Sequence, residues 1–138
     1  MSTESTTAFA IPPWAEAVAA RHGALRLLVL HGSRAKGTAH AQSDWDFAFL
    51  AEPTLNVAQL HFELTSYLGT DSVDLADLDR ASAVLRMQVA VHGVEWWGRP
   101  GEWLRFKLKA ADFWCDAGPV IVASQKVYMA RLVAKAAG

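Results

Sequence analysis

Two carboxylates and a glycine-serine pair stand out in this chain for the chemistry they could do together. Asp44 and Asp46 sit at i and i+2 in DWDFAFL, where Trp45, Phe47 and Phe49 alternate with Asp44, Asp46 and Ala48. A strand has a side-chain period of two, so both carboxylates project to one face. Two ionised carboxylates on one face repel each other, and burial raises the cost, so the pattern requires positive charge between them. A hard divalent cation with oxygen ligands fits that need, and Mg2+ commonly takes one or two protein carboxylates together with nucleotide phosphates.

The phosphate side of such a site lies upstream, in HGSRAKG. Gly32-Ser33 permits a sharp turn after an apolar strand, bringing backbone N–H groups close to a phosphate and adding the Ser33 hydroxyl. Arg34 and Lys36 follow as cations able to offset polyphosphate charge, and Ser43 directly precedes Asp44 as a further phosphate contact or a cap at the strand entry. A P-loop is excluded, because the GxxxxGK[ST] spacing is absent. His31 and His40 flank the turn without a partner in metal-ligand spacing, and receive no catalytic role.

The elements that must position these residues follow from periodicity. Pro12 and Pro13 suit a helix start, predicting a helix over Trp14–His22 that ends at Gly23. Leu25–Leu30 is a continuous aliphatic run, the pattern of a central strand buried on both faces. Val57, Leu60, Leu64 and Leu68 predict a helix with Thr54 as N-cap and Gly69 as stop. DSVDLADL alternates as a strand with Asp74 opposite in face to Val73 and Leu75, and SAVLRMQVAVHG is a helix closed by Gly93. VEWW and the turn GRPG lead to a helix with Trp103, Phe106, Ala110 and Phe113 on one stripe. A last helix, with Ile121, Tyr128 and Leu132 on one side, follows Pro119.

The expected organisation is a flexible N-terminal arm over 1–11 and one domain over 12–138, with a C-terminal helical extension over about 102–138. The fold class is α/β, a small mixed sheet flanked by helices. With 138 residues, 52% of them hydrophobic, a net charge of -1 and no basic run, no direct nucleic-acid or membrane binding is expected. The single cysteine, Cys115, excludes an internal disulfide and reads as a small buried hydrophobe. The N-terminus lacks the pattern of a secretory signal, so the expected location is the cytoplasm. Trp96, Trp97, Trp103 and Trp114 suit either a core or an interface.

Taken together, Gly32-Ser33, ten intervening residues and Asp44-Trp45-Asp46 resemble the signature of the polymerase-β-type nucleotidyltransferase superfamily, over roughly residues 25 to 95. The resemblance implies the polymerase-β-like fold and a third carboxylate on a later strand. Asp74 in VDLADL stands in the matching position, ahead of its neighbours Asp71, Asp77 and Asp79. Three such aspartates would hold two Mg2+ ions, one at the attacking hydroxyl and one at the leaving pyrophosphate. The small size and the continuation VDLADLDRASAVLRMQVAVHGVEWW narrow the resemblance to minimal nucleotidyltransferases of the MntA antitoxin type. That family implies a HEPN-domain RNase toxin as partner, ATP as substrate and AMP transfer to a toxin tyrosine. The same residues leave two alternatives: an antitoxin acting by binding alone, and nucleotidyl transfer to a small molecule such as an aminoglycoside.

Overall fold

The computed structural model describes residues 11–40 and 43–114. The expected arm, Cys115 and the helix after Pro119 fall outside these residues, apart from Ile11 at the end of the arm.

Among the described residues nine elements follow one another: α1 (Trp14–Arg21), β1 (Leu25–His31), α2 (Gly32–Lys36), β2 (Trp45–Ala51), α3 (Val57–Leu68), β3 (Val73–Asp77), α4 (Ala83–His92), β4 (Val94–Gly98) and α5, described over residues 102–114. The strands form one mixed sheet in the order β3-β2-β1-β4. β1 runs antiparallel to both β2 and β4, while β2 and β3 are parallel, as the crossover through α3 requires. β1 is central because Leu25, Leu27, Leu28, Val29 and Leu30 are all buried, which consumes both of its faces.

Side-chain alternation sorts the core into two layers. Leu28, Leu30, Phe47 and Phe49 pack against Val18 of α1 and Leu60 and Leu64 of α3. Leu27, Val29, Ala48 and Leu50 pack on the other face against Val89 of α4 and Phe106 and Ala110 of α5. Each fully buried leucine contributes about 1.5–3 kcal/mol, so the sheet is clamped from both sides. A bulge in β4 leaves Trp96 without a β1 partner between Trp97, opposite Leu28, and Glu95, opposite Val29. Trp96 becomes a core residue there, edge-on to Trp14, Trp45 and Phe47, while Trp97 and Trp103 are partly buried. Trp114 is half-buried.

Four local expectations are corrected. Helix α1 stops at Arg21, with His22 as its C-cap. Helix α3 is capped by Asn56, whose side chain accepts from the Gln59 N–H, and not by Thr54, which lies inside a turn closed from Leu55 N–H to the Glu52 carbonyl. Val57 is exposed as the first helical residue, and Phe113 is exposed although it completes the apolar stripe of α5. Beyond these, the expected sharp turn at Gly32-Ser33 opens directly into a short helix, α2.

Candidate active site

The site forms where β1 ends, because β2 begins there and the parallel β3 begins beside it. His31 is the register partner of Asp46, and Asp46 is the register partner of Asp74. Three side chains therefore lie side by side across three strands, at the neighbour spacing of about 4.5–5.5 Å typical of such pairs. They occupy the same sheet face as Ala48 and Leu50, beyond the region covered by α4 and α5. Asp44 lies two residues before Asp46, in the extended approach to β2, and is exposed like Asp74.

Electrostatics follow from this crowding. Burial pushes the Asp46 carboxyl above the ordinary carboxylate range; the charges of Asp74 and Asp44 push further, as does a hydrogen bond with Asp74, against the opposing pull of His31. Burial lowers the His31 imidazole below its ordinary value despite the Asp46 charge, favouring its neutral form. His31, which had no assigned role in the sequence, is thus part of the site. Its only sequence signal was its position at the strand end facing the aspartate pair.

Gly32 makes the close approach possible. Its φ is +74°, in the left-handed region, and an added Cβ would collide with Asp46 Oδ2 while standing 3.1 Å from Asp46 Cγ. The backbone then turns directly into α2, whose N-cap makes no side-chain bond to the first helical amides. Uncapped N–H groups of this kind are natural partners for phosphate oxygens. Ser33 lies half-buried in that first turn, and Lys36 is exposed in the last, with no hydrogen bond or ion pair among the described residues.

Arg34 and Ser43 are placed differently from a simple phosphate contact. Arg34 donates to the Ser43 carbonyl at 2.9 Å and to the His40 carbonyl at 3.3 Å, and its guanidinium lies 4.2 Å over the Trp45 ring. The Ser43 hydroxyl accepts from the His40 N–H at 2.9 Å. The two residues brace the chain entering β2, and so position Asp44. They also line an open cleft of about 500 Å³ with Trp45, Thr70 and Ser72, at the same end of the sheet. That volume lies in the range of small-molecule sites.

Among the described residues no three His, Cys, Asp or Glu side chains converge as a ready cage. The donor set nevertheless suits a hard cation, since Asp46 and Asp74 are adjacent oxygen donors whose mutual repulsion a cation relieves. No helix among the described residues is long and apolar enough to cross a membrane.

Comparison with known proteins agrees with this geometry. The chain is 48% identical over 77 residues to a protein adenylyltransferase MntA of Shewanella oneidensis, a match covering 54% of this chain and 55% of that relative. It thus spans about half the length of the curated relatives it matches. A crystal structure of a toxin-antitoxin with AMP-PNP superposes with a TM-score of 0.59 at 36% identity, over 73% of this chain and 86% of that one. A tri-AMPylated Shewanella oneidensis HEPN toxin in complex with its MNT antitoxin gives a TM-score of 0.52 at 32% identity, over 73% and 83%. The model of the polymerase beta nucleotidyltransferase family matches residues 15–99, which takes in every strand of the sheet and all the aspartates at its end. The chain belongs to that nucleotidyltransferase family.

Proposed function

We propose that this protein is an antitoxin that acts as an ATP-dependent protein adenylyltransferase, transferring AMP to a tyrosine hydroxyl of a cognate HEPN-domain toxin. The observation that carries the reading is the row His31, Asp46, Asp74, with Gly32 pressed against Asp46. The likeness to complexes of MNT antitoxin with AMPylated HEPN toxin supports the choice of acceptor.

In this reading the α2 start, through Gly32, Ser33 and the Lys36 ammonium, receives the triphosphate. Arg34 and Ser43 hold the entry to β2 so that Asp44 stays at the site, and the Arg34 charge remains beside the phosphates. Asp44, Asp46 and Asp74 would hold Mg2+, which when bound supplies charge neutralisation at the α-phosphate and the leaving group. The tyrosine oxygen attacks the α-phosphorus, the bond from that phosphorus to the bridging oxygen breaks, and pyrophosphate leaves. Asp74, exposed at the mouth of the site, takes the hydroxyl proton. AMP on a tyrosine adds bulk and a negative phosphodiester to the toxin, where an RNase has to admit RNA phosphates.

The test is intact mass spectrometry of the HEPN partner after incubation with this protein, ATP and Mg2+, beside an Asp44→Asn control. One or more AMP increments, absent in the control, are expected. A tight complex with unchanged partner mass would refute transfer and leave neutralisation by binding.

A further inference from the structure

Trp45 stands between Asp44 and Asp46 in the sequence and points away from both. The period of two that sets the carboxylates on one face sends the indole to the other. There it packs on the core, parallel to the Phe47 ring at 6.3 Å and edge-on to Trp96 at 6.1 Å. The Arg34 guanidinium covers the ring, 4.2 Å from its centroid.

The two aspartates are held by different means. Asp46 lies within the sheet, with register partners on either side. Asp44 is exposed and precedes the first sheet residue, so no strand pairing includes it. What holds Asp44 is the pair of residues around it, and Arg34 grips both. Its Nη2 and Nε donate to the Ser43 carbonyl at 2.9 and 3.3 Å, and its guanidinium lies over Trp45. The Trp45 N–H donates in turn to the Ser72 carbonyl at 2.8 Å, at the entry to β3.

Arg34 belongs to α2, the helix whose first residue, Gly32, is pressed against Asp46. One side chain therefore ties the phosphate-receiving helix to the chain that carries the carboxylates, and Trp45 is the surface on which it closes. A planar guanidinium over an aromatic face, with two donors on one carbonyl, fixes orientation as well as distance. A lysine ammonium carries the same charge without the planar fork.

We propose that Trp45 is a positioning residue for nucleotidyl transfer: with Arg34 it sets Asp44 at a fixed offset from the phosphates that α2 receives. The proposal rests on the nucleotidyl-transfer reading of the aspartate row.

The test compares Trp45→Leu, Trp45→Phe, Arg34→Lys and the Trp45→Leu/Arg34→Lys double variant in the full chain. Three quantities are read: Mn2+ affinity by electron paramagnetic resonance without nucleotide, kcat and KM for ATP in AMP transfer to the HEPN partner, and Tm. Trp45→Leu and Arg34→Lys should each weaken Mn2+ binding and lower kcat about tenfold, as lost supports of metal ligands do. KM for ATP should stay within about twofold of the parent, because the phosphate cradle itself is intact. The double variant should fall no further than the worse single variant, since the two side chains act as one unit. Trp45→Phe keeps an aromatic face and should recover most of the parent kcat. A Trp45 that only fills the core would lower Tm and leave Mn2+ affinity and kcat at parent values, which overturns the proposal. Additive losses in the double variant overturn it too, as does a parent that binds no Mn2+. A loss confined to KM for ATP would make Arg34 a plain phosphate contact and has the same consequence. A parent that transfers no AMP removes the enzymatic reading alone, and the Mn2+ series then decides whether Trp45 positions Asp44.

Discussion

Replacing Gly32 by alanine should cost far more activity than stability. The φ of +74° lies where an L residue is disfavoured by about 1–2 kcal/mol. The new Cβ would also overlap Asp46 Oδ2 and stand 3.2 Å from Asp46 Cβ. Asp46 has little room to yield, because His31 and Asp74 flank it in register on either side. Either the carboxylate rotates out of the row or α2 shifts, and a displacement near 1 Å costs about 100-fold in rate. Gly101 provides the matched control. Its φ is +82°, but a Cβ there would meet only Arg105 Nη2, at an ordinary 3.6 Å. Gly101→Ala should therefore lose the same 1–2 kcal/mol or so of stability and keep its kcat/KM. Urea denaturation measures the first quantity, and the rate of AMP incorporation into the partner measures the second. Gly32→Ala retaining activity within about threefold of the parent, or Gly101→Ala losing as much activity as Gly32→Ala, would refute the argument.

Three further outcomes are expected. Arg26 hydrogen bonds hold the Glu102 carboxyl below its ordinary range against an opposing burial effect, so this pair stabilises the fold above the unfolded pKa of about 4.3, and the contribution is lost as pH falls through the lower folded value. Glu102→Gln should lower stability at pH 7 by about 1–3 kcal/mol and flatten its pH dependence below about pH 5; denaturant curves with an unchanged acid slope would contradict this. Asp46→Asn should end AMP transfer yet raise the stability of the metal-free protein by about 0.5–2 kcal/mol, seen as a higher Tm in chelator. Asn56→Ala should cost about 1 kcal/mol through the lost Gln59 cap, whereas Thr54→Ala should stay within about 0.5 kcal/mol in the same unfolding assay.

The fold was legible wherever one local signal dominated. β1 could be read because its apolar run leaves no polar face, and a strand of that kind has to be central. β2 was only half legible: the alternation marked Phe47 and Phe49 as inward, but Ala48 and Leu50 are buried too, because α4 and α5 cover the second face. The α3 cap was misplaced because Thr54 and Asn56 are both good caps. The choice rests on a hydrogen bond from Leu55 back to Glu52, which no residue pattern displays. The helical start at Gly32-Ser33 was missed for a related reason, since five residues are too few to show a helical period.

For the site, spacing within one strand carried far and spacing between strands did not. The i, i+2 pair and the upstream glycine are local facts, and the structure sets Gly32 directly against Asp46. The place of His31 depends on antiparallel register, and that of Asp74 on parallel register across a helical crossover; neither can be computed from separation in sequence. Register also shows what the arrangement costs. Asp46 sits beside a second carboxylate and burial raises its carboxyl above the ordinary range, so folding works against its ionised form. Nothing in the packing of β2 requires an aspartate there: Ala48, two residues on along the same face, is fully buried and apolar. A charge kept in a position that weakens the fold is explained by what it binds, and the sign of the Asp46→Asn stability change decides the point. A loss of stability in the metal-free protein would mean that Asp46 is structural, held by His31, and would remove the argument that the row was built for a cation and a nucleotide.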